Sequence, residues 1–201
     1  MTSMIENYQP YYSEDFCRYA LWKVARGLWS MHRKNVLHRD IKSDNILFSR
    51  DGEVKITDLG FSVFLSEQNE FRKSKKGTPN WVAPEIYKGV RYSKSVDVWS
   101  FGCFAYELAT GWPPFAHIAQ RRQLIDNIIN IDVPPIPDRW SASFKNFIKK
   151  CLTRDVAQRP TIQQCLYEDE FLSGLSGDDA ERCKQAFVRD VRNFNASKNN
   201  N

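Results

Sequence analysis

The sequence predicts a mainly α-helical domain carrying one small β-hairpin. Three observations predict it. Over residues 13–33, Cys17, Leu21, Val24, Leu28 and Met31 recur at helical spacing and share one face. Residues 94–110 are apolar on most sides, with Val98, Trp99, Phe101, Ala105 and Leu108, as a central buried helix requires. Between these helices, Ile46-Leu47-Phe48 and Val54-Lys55-Ile56 flank Asp51-Gly52, a turn signal between two short strands.

The remaining elements follow in chain order. Residues 1–12 read as a lead-in. Ser13 is placed to cap the first helix, with Glu14 and Asp15 in its first turn, where carboxylates suit the helix dipole. Residues 61–81 show little periodicity and read as an ordered or switchable loop, with Pro79 and Pro84 breaking regular structure. Gly111-Trp112-Pro113-Pro114 ends the central helix. Further helices fit 118–130, 141–151 and 161–167, and Pro134, Pro135 and Pro137 make a rigid connector. Gly174 and Gly177 loosen the chain. Residues 178–194 then form an amphipathic helix with Ala180, Cys183, Phe187, Val191 and Phe194 on one face, open to docking on the main domain or on a partner. Residues 195–201 are expected to fray.

Composition narrows the function. The chain has 201 residues, 42% of them hydrophobic and 13% aromatic, enough to build a core. No apolar run approaches the roughly 18 residues of a membrane span. The net charge is +5, from 29 Lys and Arg against 24 Asp and Glu, and both signs are interspersed. A nucleic-acid partner is therefore not expected. One short basic cluster, Arg72, Lys73, Lys75 and Lys76, stands apart. The five cysteines are scattered and lack CxxC pairing, which fits reduced thiols in an intracellular, cytoplasmic protein.

The chemistry gathers in one stretch. His38-Arg39-Asp40-Ile41-Lys42-Ser43-Asp44-Asn45 is followed by Asp58-Leu59-Gly60 and then by Ala83-Pro84-Glu85. The hairpin over 46–56 joins Asn45 to Asp58 by a short path, so it brings these residues, thirteen apart in sequence, close in space. In order and spacing these strings resemble the catalytic domain of eukaryotic protein kinases. Gly77-Thr78-Pro79-Asn80-Trp81 narrows the resemblance to the Ste20/PAK group of serine/threonine kinases. It covers residues 5–172, with a kinase C-terminal lobe over 13–172, a catalytic loop at 38–45, an activation segment at 58–85 and a tail over 173–201.

The resemblance implies roles. Asp40 orients the substrate hydroxyl, and Lys42 contacts the transferred phosphate. Asn45 and Asp58 hold Mg2+, and Leu47 lies against the adenine of ATP. Arg39 receives a phosphate placed on Ser74 by an upstream activating kinase, and Thr78 sits beside Asp40 and Lys42. Glu85 and Arg159 form an anchoring ion pair, Asp97 holds the catalytic-loop backbone, and His38 and Leu59 belong to a packed spine. Protein serines and threonines are the implied substrates.

The resemblance is to the larger, helical lobe. No Gly-rich G-x-G-x-x-G string occurs in the sequence, and no strand lysine and helix glutamate precede Asp40, so the N-terminal β lobe is expected to be absent. The isolated chain is accordingly expected to turn over negligibly. Three readings stay open: part of a longer serine/threonine kinase, a half-kinase acting as a binding or regulatory module, and a split enzyme completed in trans.

Overall fold

The computed structural model describes residues 1–8, 12–66 and 77–198. Twelve regular elements occur among them. In chain order these are α1 (Thr2–Tyr8), α2 (Glu14–Arg33), β1 (Val36–Leu37), β2 (Ile46–Phe48), β3 (Val54–Ile56), β4 (Val63–Phe64), α3 (Pro84–Tyr87), α4 (Ser95–Thr110), α5 (Arg121–Asn130), α6 (Ala142–Cys151), α7 (Ile162–Tyr167) and α8 (Gly177–Lys198). The architecture is a helical lobe with two small antiparallel ribbons, β1–β4 and β2–β3.

Helix α4 is the axis. All its residues from Val96 to Ala109 are buried, including Asp97, Ser100 and Glu107. It ends at Gly111, whose φ of 91° is a left-handed cap that a side chain would strain. Helix α2 starts on Ser13, whose hydroxyl accepts the Phe16 N–H at 3.2 Å. Its predicted face is buried at Cys17, Leu21, Val24 and Leu28, joined by Phe16, Tyr19, Ala20 and Ala25. Helices α6 and α7 start on Ser141 and Thr161, and the latter closes a reciprocal capping box with Gln164.

Glu85 and Arg159 lock the segment that leads into α4. The guanidinium donates to both carboxylate oxygens, at 2.7 and 3.1 Å, and also to the Ser95 carbonyl. Both side chains are at most 5% exposed.

Several expectations are corrected. Residues 1–12 are not a plain lead-in, because Thr2–Tyr8 is helical and buries Met4 and Ile5. Seven residues with two core positions leave too weak a periodic signal to read. The stretch after Gly60 is not simply irregular: Val63 and Phe64 pair with Leu37 and Val36, a register two residues long that has no local signature. Pro79 and Pro84 do not break structure but begin it, at the first turns of Pro79–Trp81 and α3, where a missing N–H costs nothing. The tail helix does not fray at Asn195. It runs to Lys198, whose ammonium reaches the Ser3 hydroxyl at 2.9 Å.

Leu59 also differs from expectation. It is 61% exposed, so it is not packed into a spine. It stands on the one-turn helix Leu59–Phe61 that follows left-handed Asp58, and none of that helix's residues is buried. His38, by contrast, is fully buried.

Helix α8 lies along α2 and the β2–β3 hairpin. Phe187 stacks on Phe16 at 4.7 Å and meets Phe48 edge-on at 5.9 Å. Asp190 accepts both the N–H and the hydroxyl of Ser13, at 3.0 and 3.1 Å. The tail helix thus reinforces the N-terminal cap of α2.

Candidate active site

Asp97, in the first turn of α4, is wholly buried and holds the loop above it. Its carboxylate accepts the backbone N–H groups of His38 and Arg39 at 2.9 and 2.7 Å, and the His32 imidazole at 2.9 Å. Burial by itself pushes an aspartate up. The hydrogen bond and charge of His32 and the two backbone N–H groups outweigh it, and the carboxyl lies below its ordinary 3.8.

With its backbone pinned, the loop turns sharply. Arg39 takes a left-handed φ of 69°. The buried His38 ring spans the turn: Nε2 meets the Thr57 carbonyl at 3.0 Å and Nδ1 accepts the Asp40 N–H at 3.3 Å. This fixes one neutral tautomer and aims Asp40.

Around Asp40 the predicted residues converge. Asn45 Nδ2 donates to Asp40 Oδ2 at 3.0 Å and to the Asp40 carbonyl at 2.8 Å. Thr78 donates its N–H and its hydroxyl to Asp40 Oδ1 at 3.1 and 2.7 Å. Lys42 Nζ donates to the Thr78 hydroxyl at 2.8 Å and stands 3.5 Å from Asp40 Oδ2. The carboxylate is therefore oriented on both oxygens while only 3% of Asp40 is exposed. Gly77 makes the approach of Thr78 possible. A Cβ there would lie 3.0 Å from the Arg39 carbonyl and 2.9 Å from Val82, at a φ of +120°.

The hairpin delivers Asp58. Ile46 pairs with Ile56, and the Thr57 N–H and hydroxyl donate to the Asn45 carbonyl at 2.9 and 3.2 Å. Asp58, one residue on, is exposed at a φ of 60°, with Oδ1 accepting the Gly60 N–H. The Asn45 amide nitrogen faces Asp40, so its carbonyl oxygen faces away. An amide oxygen and a carboxylate are donors that a hard cation such as Mg2+ takes, and the pair fits it. Leu47, on the outer side of β2, is 55% exposed.

The Arg39 guanidinium donates to the Phe61 carbonyl at 2.6 Å and to the Tyr92 hydroxyl at 3.2 Å. Ser74 and the basic cluster Arg72, Lys73, Lys75 and Lys76 lie outside the described residues.

One residue escaped the sequence reading. Glu107, buried on α4, accepts the Ser43 hydroxyl at 2.5 Å and the Trp81 indole N–H at 3.3 Å. It joins the 38–45 loop to the 77–81 turn. Burial pushes its carboxyl up to about 7 against the pull of these two donors. The available signal was a second carboxylate, beyond Asp97, inside the most apolar helix of the chain.

Comparison with known proteins agrees with this geometry. The family model described as "Protein kinase domain" matches residues 1–171. The serine/threonine-protein kinase pakB of Dictyostelium discoideum is 41% identical over 150 residues, which are 74% of this chain and 18% of that protein. The serine/threonine-protein kinase pakC of the same organism is 39% identical over 156 residues, 77% of this chain and 32% of that one. Human myosin-IIIa is 37% identical over 181 residues, 86% of this chain and 11% of that one. The chain thus spans a third or less of the length of these relatives.

Proposed function

The chain belongs to the protein kinase domain family, and from that premise we propose that it serves phosphoryl transfer from ATP to serine and threonine hydroxyls of proteins. The observation that carries this reading is the Asp40 carboxylate held on both oxygens by Thr78 and Asn45, with the Lys42 ammonium beside it. In the mechanism, Asp40 orients the incoming hydroxyl and accepts its proton as that oxygen bonds to the γ-phosphorus of ATP and the bond to the departing ADP oxygen breaks. Lys42 offsets charge on the transferred phosphoryl oxygens. Asn45 and Asp58 would hold magnesium, which supplies positive charge at the phosphates. Thr78 steadies Asp40 and Lys42 relative to each other. Leu47 offers an apolar surface to the adenine ring.

Regulation follows from the same loop. A phosphate on Ser74 would draw the Arg39 guanidinium, already shared between Phe61 and Tyr92, into a charge-assisted pair. Unchanged turnover in a Ser74→Ala enzyme overturns this. The described residues contain no helix long and apolar enough to cross a membrane. All five cysteines are buried free thiols, which supports a reducing, cytoplasmic setting.

Two measurements test the main reading. Mn2+, standing in for Mg2+, should broaden the NMR signals of Asn45 and Asp58, and Asp58→Asn should abolish this. Joined to the small lobe of a PAK relative, the chain should then phosphorylate a serine peptide. Asp40→Asn should lower that turnover at least about 100-fold. Metal binding without any transfer would favour a binding module instead. Leu47, Leu59, Phe61 and Phe64 are 39–61% exposed, an apolar face that a second lobe, on this or another polypeptide, would cover.

A further inference from the structure

A cavity of about 340 Å3 opens away from Asp40, between the last turn of α2, the first turn of α4 and residues 156–163. Its size falls in the roughly 300–1,000 Å3 range of small-molecule sites. One wall is apolar, from Trp29, Val98, Val156 and Ile162. Its polar lining is one-sided: Arg33, Lys94, Arg159 and His32 contribute, and none of the twelve lining residues is acidic.

These cations differ in what already occupies them. Arg159 is neutralised by Glu85. Lys94 donates to the Asn35 side chain at 2.7 Å and keeps further donors. The Arg33 guanidinium lies 4.8 Å over the Trp29 ring, at the cavity rim. His32 is the least usual. It is 6% exposed, and its Nε2 is spent on fully buried Asp97. Its ring lines the cavity wall. Trp29, on the apolar wall, carries a buried indole N–H without a hydrogen-bond partner among the described residues, and such a donor is costly unless something meets it.

We propose that this cavity binds a small amphipathic anion, a flat apolar body bearing one carboxylate, and that its occupancy reaches the 38–45 loop. The apolar body would lie along Trp29, Val98 and Ile162. The carboxylate would take Arg33, Lys94 and the Trp29 indole N–H, beside the His32 ring. The path to the loop is short and physical: His32 bonds Asp97, and Asp97 holds the backbone N–H groups of His38 and Arg39. A charge set beside the imidazole changes what the ring gives Asp97. The inference concerns a different face of the lobe from the proposed phosphoryl-transfer site and stands without it.

The test is an NMR titration of the full 201-residue chain with 2-naphthoate and, as neutral control, 2-naphthamide. The carboxylate should bind with a dissociation constant at or below about 1 mM and the amide at least about tenfold more weakly. The backbone amides of His38 and Arg39 should shift along with Trp29 and Thr161. Arg33→Gln combined with Lys94→Gln should weaken 2-naphthoate about tenfold while the thermal midpoint holds, since both groups lie at the rim. No binding, equal binding of the two probes, or an unaffected double variant overturns the site. Shifts confined to the cavity, with His38 and Arg39 unmoved, overturn the coupling.

Discussion

Glu85 and Arg159, 74 residues apart, meet through two parallel N–H···O bonds with both side chains almost fully withdrawn from water. The pair joins α3 to the loop before α7, and Arg159 adds bonds to the carbonyls of Ser95 and Thr153. Removing one partner strands the other as a buried charge. Arg159→Ala should cost about 3–5 kcal/mol in urea denaturation. A loss under about 1 kcal/mol would mean that water replaces the guanidinium freely.

Glu107 should make stability fall with rising pH. Its folded pKa is raised, to about 7 from 4.5, so the folded chain holds a proton that the unfolded chain releases. Its contribution is complete below pH 4.5 and is lost as pH rises through about 7. The shift corresponds to about 3 kcal/mol between those limits. Glu107→Gln keeps the Ser43 and Trp81 bonds possible and should flatten this slope. An unchanged slope in denaturant midpoint would place the titration elsewhere.

Asp97 should act in the opposite sense. Its folded pKa is depressed, so its contribution is present above the ordinary 3.8 and is lost as pH falls through the lower folded value. Asp97→Asn should loosen the 38–45 loop and speed hydrogen exchange at the His38 and Arg39 amides. Unaltered protection of those two amides would contradict the role given to Asp97.

Thr78 should be replaceable by serine and not by alanine. Its hydroxyl donates to Asp40 and accepts from Lys42 in one relay. Losing a hydrogen bond to a charged group costs about 1.5–3 kcal/mol. In the lobe-completed enzyme, Thr78→Ala should therefore lower turnover roughly 10- to 100-fold. Thr78→Ser should recover most of it. Equal rates for the two variants would remove the relay from the chemistry.

Phe187 should be the anchor of α8. It is fully buried, stacked on Phe16 and packed against Tyr19 and Phe48. Phe187→Ala should cost about 3–5 kcal/mol and open the 177–198 segment to limited proteolysis. A protease pattern identical to the parent chain would show that the helix is held by other contacts.

Much of the site was legible because its signals are local. The run from His38 to Asn45, the Asp51-Gly52 turn and the Asp58-Leu59-Gly60 string state their own residue types and spacing, and short loops bring them together. Helix positions were legible for the same reason, through Ser13 as a cap and through the apolar stripe of α2. What stayed hidden depends on distant partners. The β1–β4 ribbon pairs residues about two dozen positions apart over a two-residue register. Helix α1 is too short to stand on its own pattern and is held by Ser43, Asp44 and the Ile46 carbonyl.

By itself, the sequence determined the helical class, the family and which side chains make up the candidate site. Only the tertiary structure decided how they are used. It put Thr78 on Asp40, gave Glu107 two donors in a buried site, left Leu59 in the open and set His32 in the wall of a cavity. The physical reason is that residue type and spacing act along the chain. Burial, hydrogen-bond partnership and the pKa they set arise only when segments remote in sequence are packed against one another.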